Sequence, residues 1–383
     1  MIDDKREDSL HNLEVCHYAL HNTHQLAQKW NELYRRKVTP SVFLHWNWIS
    51  RWLVSLPNTP TVVEAKIGNQ CLGIGIFFGK SKFVFPGWFV KQIWLHRTGD
   101  ERLDQVWIEH NDFLLDSRFP NEIRQAMITY VATKLTWHEC FIGLTSTEVL
   151  PRFEGLASNK RIDIDSPDYS VDLTAFNSVD DYLNSLSKNT KQQLQRSFKL
   201  LRQHGELLLQ DVQNPDEQMQ AFSEMADIHI EKWRNTKYGS GFDNSQFRQF
   251  HQTLIENDPE CQFTSIYCMS LNEQKLAYIY LLKDNGCWYF YLSAIKSFED
   301  NRIKVGLVAH VMVIENAILN NIHKYEFLAG EARYKKSLSN QSVSNQQLVC
   351  YYKPSYLLSF RQKMRTLKRQ CFNKFKMVVE PEC

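Results

Sequence analysis

Three short stretches of this chain bring reactive side chains together. Gly330-Glu331-Ala332-Arg333-Tyr334-Lys335 offers a carboxylate, a phenol and an ammonium in close succession. Acyl transfer to an amine or hydroxyl needs such a set: a base for the nucleophile, a proton donor for the leaving thiolate and a cation for the developing oxyanion. Glu331 is the expected general base, with His229 as the second candidate. Tyr334 is the expected donor and Lys335 the cation. A polar turn with a lysine reaching out to water would look the same. The second stretch, Arg302-Ile303-Lys304-Val305-Gly306-Leu307, runs from a polar loop into an apolar helix. Free N–H groups at a helix start bind anions, helped by the helix dipole. Arg302 and Lys304 add charge, and Gly306 lets a phosphate approach the backbone. An ordinary strand-to-helix loop with two solvated cations is the competing reading.

The third stretch, Lys188 to Arg202, holds five cations and no acid. Lys188, Gln192, Arg196 and Lys199 share one helix face. That face suits phosphates of a nucleotide-linked substrate or a lipid head group, or simply water. Lys191, Arg196 and Arg333 are the expected substrate-binding cations. Trp233, four residues beyond His229, and Tyr291 are the expected aromatic contacts for an acceptor such as a sugar, although most aromatic side chains serve the core. The thirteen histidines include no HExxH pair, so no metal site is expected.

These residues need elements to position them. In the second half, Phe263 to Met269, Leu276 to Lys283 and Trp288 to Ala294 read as strands, with Asp284-Asn285-Gly286 as a type I′ hairpin turn. A helix from Val305 to Asn320 follows, then strands at Tyr325 to Leu328 and Gln347 to Tyr352. The first half echoes this order. Strands at Val62 to Ile67, Cys71 to Phe78 and Gln92 to His96 precede a helix at Glu122 to Lys134. Strands at Glu139 to Leu144 and Tyr169 to Leu173 follow, with a short helix from Ser146 between them. Two β-β-β-α-β units in tandem suggest a duplicated fold. A long helix spanning Ser178 to Gly205 joins them, and a second helix runs from Glu217 to Lys232.

Composition limits the choices further. With 383 residues, 43% hydrophobic and 23% charged, the chain is globular and long enough for two domains. The net charge of +2 is the sum of +9 for residues 332–383 and −7 for the rest. A basic tail on an acidic body argues against DNA binding by the body. In the tail, Leu357, Phe360, Met364, Leu367, Cys371 and Phe375 recur at helical spacing among lysines and arginines. That is a basic amphipathic helix, able to lie on an anionic membrane or to dock on the acidic body. The N-terminus has no apolar leader, and the nine cysteines form no CxxC pair. A cytoplasmic protein is expected, possible peripheral contact being at the inner membrane face.

The segment Asp180 to Gly205 resembles the first conserved block of the CelD-like acetyltransferases, which are associated with polysaccharide biosynthesis. Ala277 to Lys335 resembles the remainder, ending in Tyr325-Glu326-Phe327-Leu328-Ala329-Gly330 and Tyr334-Lys335. Phe43 to Leu53 and Glu109 to Leu115 resemble the family's first half. The resemblance implies an α/β fold of tandem GNAT-like (acyl-CoA N-acyltransferase) domains with mixed central sheets. The expected boundaries are 1–175, 176–352 with the catalytic site, and 353–383 for the tail. It implies acetyl-CoA or another acyl-CoA as donor, with Arg302, Lys304, Val305, Gly306 and Leu307 on its pyrophosphate. The expected acceptor is a sugar or cell-envelope precursor. The same pattern is similar, more distantly, to the Fem peptidyltransferases, whose donor is aminoacyl-tRNA and whose reaction centre holds an aromatic-lysine pair. The acidic body makes tRNA the less expected partner. A non-catalytic GNAT-like scaffold docked on membrane is the third alternative.

Overall fold

The computed structural model describes residues 12–37, 41–85, 88–106, 108–236 and 239–354. The expected tail helix, Ser355 to Val378, lies outside the described residues. The first half comprises β1 (Glu14–Ala19), α1 (Thr23–Tyr34), α2 (Trp46–Val54), β2 (Thr61–Ile67), β3 (Gln70–Phe85), β4 (Trp88–Leu95), β5 (Leu114–Leu115), α3 (Pro120–Lys134), β6 (Glu139–Ser146) and β7 (Asn159–Asp172). Two helices, α4 (Val179–Ser185) and α5 (Lys188–His204), connect the halves. The second half comprises β8 (Leu207–Val212), α6 (Pro215–Trp233), α7 (Ser245–Glu256), β9 (Thr264–Leu271), β10 (Gln274–Asp284), β11 (Cys287–Ile295), α8 (Val305–Leu319), β12 (Lys324–Ala329), α9 (Arg333–Leu338) and β13 (Gln341–Tyr352). Apart from the short β5, each half runs β-α-α-β-β-β-α-β and then to a final strand. The duplicated unit is therefore longer than the sequence pattern suggests, gaining a leading β-α-α segment.

Local chemistry explains several boundaries. Asn285 and Gly286 take φ of +46° and +73°, as the β10–β11 turn requires. The helix expected from Ser178 to Gly205 is two helices. Leu186 is extended, and Ser187 caps α5 by accepting from the Thr190 N–H. The short helix expected from Ser146 is a 3-10 segment over Leu150–Leu156.

All strands join one mixed sheet in the order β1-β2-β3-β4-β6-β13-β7-β12-β11-β10-β9-β8, with β5 beside β3. The final strands are exchanged. β13, from the second half, lies between β6 and β7, while β7, from the first, pairs with β12. One face is covered by α1 and α2 together with α6 and α7, where Trp48 meets Phe250 edge-on at 4.8 Å. On the second half's other face α8 buries Val308, Val311 and Ile314.

Each half contains one parallel pair that stays together for only three rungs. In the first half Gln92–Trp94 pairs with Glu139–Phe141. In the second, Cys287–Tyr289 pairs with Lys324–Glu326, although β11 continues to Ile295. The first-half gap is filled. Trp94 stacks on Phe141 at 3.6 Å on the last rung, and beyond it Asn111 Nδ2 bridges the strands by donating to the Leu95 and Gly143 carbonyls at 2.9 and 3.0 Å. The second-half gap opens onto a cavity.

Because the last strands are exchanged, residues 1–175 and 176–383 expressed separately should each lack a cooperative thermal transition by circular dichroism. An open sheet edge cannot replace the missing ladder. Cooperative unfolding of either half alone would contradict this reading of the sheet.

Candidate active site

The end of β12 positions the reactive groups. Its register with β7 shifts between Glu326 and Leu328, and Leu328 takes a φ of +63°, a costly conformation for leucine. The Ala329 N–H there donates to Glu109 Oε2 at 2.7 Å. The carbonyls of Leu328 and Ala329 accept from Lys335 Nζ at 3.3 and 2.8 Å. Gly330, with φ of +140°, turns the chain into α9; a Cβ there would sit 3.1 Å from Lys335 Nζ.

Burial governs the ionisation of this pair. The Glu109 carboxyl is pushed up to about 7 by burial, with Asp168 adding to the rise and the Ala329 N–H and Lys335 opposing it. Burial lowers the Lys335 ammonium, partly offset by Glu109, Asp168 and Glu326. Behind them His110, Asp168 and Glu326 bring one donor atom each within 4.8 Å of one another. Gln346 Nε2 donates to both His110 Nδ1, at 3.1 Å, and Asp168 Oδ2, at 2.9 Å. Burial keeps His110 neutral, so with Nδ1 accepting, its proton sits on Nε2, facing Asp168 at 3.5 Å. No imidazole lone pair then faces the carboxylates, which disfavours a metal ion. Burial and the neighbouring Asp168 raise the Glu326 carboxyl well above the usual range, with Lys324 opposing the rise.

Two cavities meet at Lys335. One, of about 470 Å³, is lined by Gln105, Glu109, Leu144 and Ser166 from the first half and by Phe242 and Gly330 from the second. The other, of about 630 Å³, follows the unpaired end of β11 to the start of α8. His229, Phe290, Tyr291, Leu292 and Lys335 line both. At the α8 start no side chain caps the helix, and no acid stands in its first turn. Lys232, Lys296 and Lys304 border this second cavity.

Most of the residues expected from the sequence gather here. Lys304, Val305, Gly306, Leu307, Trp233 and Tyr334 line the second cavity. Tyr334 stacks on His310 at 5.3 Å, and burial keeps its phenol protonated. His229 stacks on Trp233, its Nδ1 lies 2.8 Å from Ser240 Oγ, and burial lowers its basicity. Five others stand apart. Arg302 is held by Asp300 at 2.7 Å and lines neither cavity. Glu331 and Arg333 are exposed and line neither. Lys191 bonds Asn184, and Arg196 is exposed. Their helix still touches the site, since Ser197 Oγ accepts from the Lys304 N–H at 3.0 Å. Residue chemistry alone did not single out Glu109: it joins the site through the exchanged strands and has no local spacing to Lys335.

Residues 188–336 match the model of the acetyltransferase (GNAT) domain family. The whole chain is similar in structure to FemX, at 9% identity and a TM-score of 0.59, covering 88% of this chain and 97% of that one. It is also similar to the C-terminal domain of a putative lysylphosphatidylglycerol synthetase from Agrobacterium fabrum, at 9% identity and 0.54, covering 86% and 92%. A further likeness is to L-PGS from Bacillus licheniformis, at 10% identity and 0.51, covering 88% and 96%. No curated protein matches the chain. These likenesses show that the chain shares the fold of FemX and of the two other structures.

The Glu109 carboxyl also leaves a mark on stability. Its proton is held to about pH 7 when folded, against an ordinary value of 4.5. The folded state therefore binds more protons in that window, and stability falls as pH rises through it. Glu109→Gln lacks this dependence. Between those two pH values the wild type should lose about 3 kcal/mol relative to the variant, with no further change above pH 7. Thermal denaturation of both proteins across pH 4–8 reads this; parallel curves would mean an ordinary carboxyl.

Proposed function

We propose that the protein transfers an acyl group, acetyl being the first candidate, from acyl-CoA to an amine or hydroxyl of a sugar or cell-envelope precursor. The observation that carries this reading is the meeting of two cavities at Lys335, with Glu109 on the wall of one and the uncapped start of α8 on the wall of the other. The donor would lie along β11, its phosphates at the free N–H groups of Val305, Gly306 and Leu307 near Lys304. The acceptor would occupy the smaller cavity, where aromatic walls suit a ring and Glu109 faces the nucleophile.

The step is a direct displacement. The acceptor nitrogen or oxygen bonds to the thioester carbon as the carbon–sulfur bond breaks. Glu109 takes the acceptor proton, and a carboxyl near 7 is suited to do so at neutral pH. The Lys335 ammonium steadies the oxyanion, and Tyr334 protonates the departing thiolate. His229, neutral and at the junction, is the second candidate for the base. The seven described cysteines are all free, in keeping with a cytoplasmic setting. No helix among the described residues is long and apolar enough to cross a membrane.

A second reading takes aminoacyl-tRNA as donor. What favours it is α5, whose exposed Arg196 and Lys199 flank Ser197, which is tied to the α8 start. Calorimetric titration with acetyl-CoA and with aminoacyl-tRNA separates the two. Saturable binding of acetyl-CoA supports the first reading, and binding of charged tRNA alone supports the second.

With the active donor in hand, Lys335→Ala should lower kcat by about a hundredfold or more. Glu109→Gln should remove the rise of rate with pH around 7. Gly306→Val, whose side chain would crowd Ile295 at the donor wall, should raise the donor KM by about tenfold while leaving the fold intact. Full activity in Lys335→Ala would overturn the assignment.

A further inference from the structure

The β3–β4 hairpin carries a feature that acyl transfer does not use. Phe83 and Phe89 face each other across it, with rings 5.5 Å apart and exposures of 58% and 55%. Two adjacent phenyl groups left this open are the mark of a contact surface. Ser81 and Lys91 continue the same face one step inward, since side chains alternate along a strand. Val90, on the other face, is fully buried. The rings thus stand on an anchored ribbon.

The ribbon itself carries cations and no acid: Lys80, Lys82 and Lys91 lie on β3 and β4 within three residues of the rings. Lys353 joins the same edge: its N–H donates to the His138 carbonyl at 3.1 Å, and His138 Nδ1 accepts from the Lys91 N–H at 2.9 Å. The chain passes Pro354 here, and seven Lys and Arg follow before the next acid, Glu380. Lys353, far away in sequence, therefore joins the lysines of this ribbon.

We propose that this edge of the sheet docks on an anionic lipid bilayer, with Phe83 and Phe89 entering the headgroup boundary and the flanking lysines meeting lipid phosphates. Aromatic rings settle at that depth, and each nearby cation strengthens attraction to anionic lipid. Such docking would hold the protein at a membrane without a spanning segment, and it stands independently of the proposed reaction.

Flotation of the full chain with vesicles tests this. The wild type should float with mixed phosphatidylcholine–phosphatidylglycerol vesicles, float poorly with phosphatidylcholine alone, and be released by about 0.5 M salt. Phe83→Ser combined with Phe89→Ser changes only exposed side chains. It should keep the wild-type melting temperature and lower partitioning by about tenfold or more. Lys82→Glu with Lys91→Glu should weaken binding to a similar degree. Wild type that ignores the anionic vesicles overturns the proposal. So does a phenylalanine variant that binds as tightly as wild type, which would assign binding to the tail alone. A wild-type dimer in light scattering that the phenylalanine variant dissolves would assign the patch to a second copy, and would also overturn it.

Discussion

The exchange of β7 and β13 is the constraint on which the site depends. It makes the two halves one sheet and sets residues 220 positions apart within hydrogen-bond reach, as Glu109 and Ala329 are. A second tie lies at the β10–β11 turn, where Tyr34 and Lys37 both bind Asp284 at 2.8 Å. With antiparallel ladders on both sides of the exchanged strands, the halves cannot shift relative to one another without breaking the register. The cavity between them is thereby held open at fixed width, which placing a reactive carbon beside a base and a cation requires.

The duplicated halves have met the same structural problem in different ways. Each parallel pair separates after three rungs and leaves backbone groups without a strand partner. In the first half Asn111 bridges the separated strands and satisfies their carbonyls, just beyond the stacked Trp94–Phe141 rung. In the second half nothing comparable intrudes among the described residues, and the space lines a cavity. The plug also serves its neighbour. Two residues before Asn111 the same segment presents Glu109 to the second half's site, with His110 between them at a φ of +47°. Closing one gap thus supplies a carboxylate to the other.

What was legible in the sequence was local. Asn285-Gly286 dictates its turn, the apolar spacing after Lys304 dictates α8, and Tyr334-Lys335 sits where a short strand ends. Non-local register was not legible. No spacing rule links Glu109 to Lys335, and the alternation in β7 and β13 does not state which strand each will join. Short-range chemistry also redirected some groups. Ser187 caps α5 and breaks the expected long helix, while Asp300, two residues from Arg302, draws that guanidinium away from the helix start. Glu331 stands on the exposed side of the turn whose other side presents Lys335.

The central claim is that donor and acceptor meet at Lys335, between the halves. A crystal structure with a non-hydrolysable thioether analogue of acetyl-CoA tests it most directly. The expected density places the pantetheine along the free end of β11, the phosphates at the start of α8 and the acyl carbon at the wall both cavities share. An acyl group bound on the first half, or one that reaches neither Lys335 nor the cavity bearing Glu109, would contradict it.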